Sequence, residues 1–107
     1  MTDASVRRMR LEVLVSFMPT KKCRALVAIF EDLVRRWPDE LRLDVYEAGS
    51  EPRVKVTRGY AAADKRKKVP CAFVNGRQVA DGDVPDALLV EARIREELSR
   101  GSESWEE

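Results

Sequence analysis

The sequence predicts a small α/β domain on a mixed four-stranded sheet flanked by helices, in the order β-α-β, then β-hairpin, then α. Three observations predict it. Residues 11–17 and 41–46 read as strands separated by a helical apolar period. Asn75-Gly76 follows the apolar run Cys71-Ala72-Phe73-Val74 and is the dipeptide a two-residue hairpin turn asks for. Val84, Ala87, Val90, Ile94 and Leu98 then recur at helical spacing.

Each element has its own signal. Residues 1–10 are polar and read as a loose segment before the domain, 11–99. Leu11, Val13, Val15 and Phe17 share one strand face, and Leu14 adds apolar character to the other, as a central strand requires. Met18-Pro19 breaks the strand, and Thr20 can cap the helix that follows. Cys23, Leu26, Val27, Phe30, Leu33, Val34 and Trp37 make its apolar stripe, and Pro38 ends it. Strand, helix and strand in this order predict parallel pairing with a right-handed crossover. Residues 48–52 read as a loop, Val54-Lys55-Val56 as a short strand or extended connection, and the stretch after Gly59 as a short helix. Proline, lacking an N–H, suits the first position of a strand, where Pro70 stands. Residues 77–80 complete the hairpin. Asp83, ahead of Val84 and Pro85, reads as the cap of the last helix, which ends near Arg100-Gly101. Residues 100–107 read as a disordered tail.

Composition narrows the function classes. At 107 residues the chain is one domain, with 44% hydrophobic and 36% charged residues and a net charge of +1. That balance gives no general pull toward nucleic acid or an anionic membrane. The longest apolar run, residues 25–30, is too short to span a bilayer. No signal-peptide pattern is visible, so a cytoplasmic location with reduced thiols is expected. There is no histidine, which removes Cys-His and Ser-His-Asp catalysis and the usual zinc sites. Cys23 and Cys71 lack the spacing of a metal-ligand pair, and no cofactor is expected. Asp81 and Asp83 read as turn and cap residues. Lys65-Arg66-Lys67-Lys68, with Arg53, Lys55 and Arg58 nearby in sequence, reads as a solvated basic face, or alternatively as a positive patch that helps hold a partner.

Three features in order resemble the thioredoxin-like fold over roughly residues 11–99. Met18-Pro19-Thr20-Lys21-Lys22-Cys23 stands where that family carries its Cys-x-x-Cys. Val69-Pro70 stands where it has a cis-proline, and the Asn75-Gly76-Arg77 hairpin, Gly82 and the last helix match its end. The resemblance implies that the Val69 backbone and the Met18-Pro19 loop hold an extended partner segment. This chain departs from the pattern at position 20, where threonine replaces the family's attacking cysteine. Only Cys23 matches.

Two readings of the chemistry follow. A cysteine in the first turn of a helix, beside Lys21, Lys22 and Arg24, has its thiolate favoured, and the thiolate is the nucleophile. Thr20 can donate a hydrogen bond to it, and Cys71, next to the proline, can serve as a resolving thiol. This predicts thiol–disulfide exchange with a protein disulfide, a mixed disulfide or a small oxidant. Cys23 is equally the start of the apolar stripe, where a cysteine packs as a small hydrophobe, and Cys71 suits a strand interior. In that case the chain is a degenerate thioredoxin-like module that binds a protein partner without redox turnover.

Overall fold

The computed structural model describes residues 8–63 and 68–106. Its elements are β1 (Met9–Val15), α1 (Lys21–Arg36), β2 (Leu41–Glu47), α2 (Arg58–Ala62), β3 (Cys71–Val74), β4 (Arg77–Asp81) and α3 (Ala87–Ser99), followed by a 3₁₀ turn at Ser102–Ser104. The sheet order is β2-β1-β3-β4. β1 and β2 run parallel, from Met9 opposite Leu41 to Val15 opposite Glu47. β3 lies antiparallel to β1, with Leu14 opposite Cys71, and β4 antiparallel to β3.

The period of two along β1 sorts the core into two layers. Met9, Leu11, Val13 and Val15 point to one face, where they meet Cys23, Leu26, Phe30 and Leu33 of α1 and Val90 and Ile94 of α3. On the other face Leu14 packs with Cys71, Phe73 and Tyr46 beneath Tyr60 of α2. α1 forms as its stripe demands. Thr20 caps its first turn, the Trp37 N–H closes on the Leu33 carbonyl, and Arg35 and Arg36 sit at the negative end of its dipole. The guanidinium groups of Arg36 and Arg95 both lie over the Trp37 ring, which ties α1 to α3.

Both hairpin turn residues have positive φ, 50° at Asn75 and 75° at Gly76, as a type I′ turn requires. The Val69-Pro70 peptide bond is cis. Among the described residues no helix is long and apolar enough to cross a membrane.

The structure corrects the sequence reading at several places. β1 begins at Met9 inside the expected loose segment 1–10, because Met9 is fully buried and its N–H bonds the Glu40 carbonyl. Residues 1–7 lie outside the described residues. β1 ends at Val15, so Phe17 leaves the strand face and is 71% exposed. Of the two forms expected for Val54-Lys55-Val56, the strand is not formed and the stretch is a connection. α3 is capped by Asp86, whose carboxylate accepts from Leu88 N, while Asp83 caps only Val84. Proline at position 85 disfavours helical backbone at Val84, so the helix cannot start there. Residues 100–106 do not form a disordered tail. Trp105 is 7% exposed within the α1/α3 core, and its indole N–H donates to the Glu97 carbonyl.

Candidate functional site

The residues around Cys23 come together where β1 ends and α1 begins. Thr20 is in extended conformation and its Oγ1 accepts from Cys23 N at 3.2 Å. The same hydroxyl donates its proton to Cys23 Sγ at 3.3 Å. Ser16 Oγ lies 3.6 Å from the sulfur and 2.8 Å from the Met18 carbonyl, to which it donates. When Cys23 is a thiol, its S–H can donate to Ser16; when it is a thiolate, the Ser16 hydroxyl can turn its proton to the sulfur. Arg24 donates to the Pro19 carbonyl at 3.0 Å, which fixes the loop from outside. Sequence reasoning misses Ser16. Its only signal there is a hydroxyl at the end of an otherwise apolar strand.

Burial pushes the Cys23 thiol up, but the Thr20 hydroxyl and the Ser16 and Thr20 hydrogen bonds outweigh it and bring it down from 9.0 to about 7. Cys23 is only 1% exposed and packs in the core cluster, with the Ser16 and Thr20 hydroxyls against its sulfur. The thiolate is therefore favoured near neutral pH relative to an ordinary cysteine. The loop itself is open to solvent, with Thr20 and Pro19 exposed and Met18 75% exposed. Val69 packs against the cluster that contains Cys23, and Pro70 is buried with its carbonyl accepting from Gly82 N at 2.7 Å. Lys22 reaches Asp83 at 3.4 Å, so part of the positive charge at the start of α1 is already paired.

Cys71 is not part of this constellation. It is fully buried in the cluster on the opposite face, whereas Cys23 belongs to the α1/α3 layer. The reason is strand alternation. Ala72 and Val74 point toward α1, so Cys71 and Phe73 must point away. The sheet stands between the two thiols, and the expected pairing of Cys71 with Cys23 as resolving cysteine is not made.

The second face holds a polar network that the sequence did not reveal. Glu12 is fully buried and accepts from Tyr46 Oη at 2.7 Å, from Thr57 N at 3.0 Å and from the Thr57 hydroxyl. Arg10, 5% exposed, pairs with Asp44 at 3.0 Å and donates to Tyr46 Oη at 3.1 Å. These partners supply the hydrogen bonds a buried carboxylate needs. Burial, then the hydrogen bond to Glu12, holds the Tyr46 phenol above its ordinary range. Burial, then the charges of Cys71 and Glu12, pushes Tyr60 up to about 12. Clefts of about 360 and 330 Å³ flank Tyr46, and Cys23 lines neither.

Lys65, Arg66 and Lys67 of the basic run lie outside the described residues, and Lys68 is exposed. Among the described residues no three Cys, Asp or Glu side chains converge as metal ligands. No protein-family model matches this sequence, and no curated protein is significantly similar to it.

Proposed function

We propose that this is a thioredoxin-like protein whose thiol chemistry is carried by Cys23 alone. The strand order β2-β1-β3-β4, with α1 and α3 on one face and α2 on the other, supports that fold. The observation that carries the chemistry is the Thr20 hydroxyl, which caps α1 and donates to Cys23 Sγ at 3.3 Å. A thiolate held this way is available at neutral pH. It attacks one sulfur of a disulfide, the S–S bond breaks, one half stays on Cys23 as a mixed disulfide, and the other leaves as a thiolate. With Cys71 behind the sheet, a low-molecular-weight thiol from solution resolves the adduct and regenerates Cys23. The nearly complete burial of the sulfur favours a small disulfide over a bulky one.

Iodoacetamide alkylation of each cysteine against pH tests this reading. Cys23 reacts with an apparent pKa of about 7, and oxidised low-molecular-weight thiol leaves one adduct, on Cys23. A Cys23 that titrates at the free value of about 8.5, or forms no adduct, overturns it. The second reading, a partner-binding module without turnover, is favoured by Phe17 and Met18, 71% and 75% exposed beside a covered sulfur. It predicts that Phe17→Ser abolishes partner capture while Cys23→Ser leaves it intact.

A further inference from the structure

Residues 101–106 do more than fill space. The chain turns at Gly101 (φ 94°), inserts Trp105 into the α1/α3 layer, and carries Glu106 past the hairpin tip to α2, which covers the other face. Asn75 is the pivot. Its side chain donates to Glu97 Oε1 at 2.8 Å and to the Ser104 carbonyl at 3.2 Å, and accepts from Glu106 N at 2.7 Å. The Glu106 carboxylate accepts from Gly59 N at 3.0 Å, in the first turn of α2. Gly59 lies so close to the Gly76 carbonyl that it has no room for a Cβ, and the Glu106 carboxylate lies directly over Gly76.

α2 is five residues long, too short to hold its own shape, so its closure depends on what grips it. Besides Glu106, those grips are the Thr57 cap anchored on Glu12 and the Tyr60 ring between Tyr46 and Phe73. Tyr60 shares its cluster with Cys71. Cys23 lies on the other face, in the α1/α3 cluster, with Ser16 and Thr20 against its sulfur.

We propose that segment 101–106 is a latch that keeps α2 closed over the Cys71 face. Releasing it makes Cys71 reactive while Cys23 keeps its own cover. The latch is independent of both readings of the function, because it governs access to a thiol and not what that thiol does. The two cysteines act as built-in reporters of local against global opening.

The test is residue-resolved alkylation of the full chain under native conditions, for the parent protein, Glu106→Ala and Glu106→Gln. Losing a hydrogen bond to a charged acceptor shifts a local opening equilibrium by roughly tenfold. The Cys71 rate therefore rises by about that factor in Glu106→Ala, with the Cys23 rate unchanged. Glu106→Gln, which keeps an acceptor oxygen for Gly59 N, restores most of the protection. An unchanged Cys71 rate in Glu106→Ala overturns the latch, and so does a parallel rise at both cysteines, which reports general unfolding.

Discussion

Thr20 performs two tasks with one hydroxyl. Its lone pair takes the orphan Cys23 N–H and its proton goes to the Cys23 sulfur. Thr20→Val keeps the shape and removes both. The expected result is a loss of about 1 kcal/mol of stability from the missing cap, together with a Cys23 thiol that titrates closer to 9.0 than to 7. Urea unfolding and alkylation against pH read the two effects separately, and a thiol still near its parent value removes Thr20 from the site. The lowered pKa also has a consequence for stability. A thiol whose folded pKa lies below its unfolded one releases its proton first in the folded state, so folding gains stability as pH rises from about 7 to 9 and loses it as pH falls back through 7. The urea midpoint of the parent protein should climb across that window relative to Cys23→Ser. Matching profiles for the two proteins would show that no such shift exists.

At the scale of elements, the seat of α2 is set by contacts to several distant segments. Its cap residue Thr57 is fully buried and bonded to Glu12, its second residue Gly59 abuts the hairpin turn, and Tyr60 stacks edge-on between Tyr46 and Phe73, at 4.9 and 5.1 Å. Gly59→Ala would normally help a helix by removing backbone freedom. Here the methyl meets the Gly76 carbonyl, so α2 must move off the sheet. The substitution is expected to cost about 1–3 kcal/mol, the usual range for overpacking, measured by urea unfolding; a neutral or stabilised variant would mean that α2 does not sit against the hairpin turn. The hairpin behaves differently. Its turn is legible in the sequence because Asn75-Gly76 satisfies a purely local demand for positive φ.

For the whole molecule, the sheet is a partition. It places one thiol with α1 and α3 and the other with α2. Mild oxidation of the native protein should therefore form no intramolecular disulfide between Cys23 and Cys71, read by mass. An intramolecular bond formed without denaturant would contradict the opposite facing of Cys71 and Ala72 along β3. The 3₁₀ turn and Trp105 close the opposite end of the molecule, where Asn75, Glu97 and Glu106 meet, so the two ends are held by separate sets of contacts.

The sequence alone determined whatever depends on short-range patterning. The stripe from Cys23 to Trp37 dictates α1, alternation dictates β1 and β2, Asn75-Gly76 dictates the hairpin, and Thr20 three residues before Cys23 dictates the cap. It could not determine which face each β3 residue takes relative to α1, because that follows from the register of Leu14 on Cys71. Nor could it reveal that Glu12 is buried, since its partners Tyr46 and Thr57 lie 34 and 45 residues away. The destination of Trp105 was equally hidden, for a lone aromatic among polar residues carries no period. Those features depend on contacts between distant segments, and only the folded chain brings such segments within reach of one another.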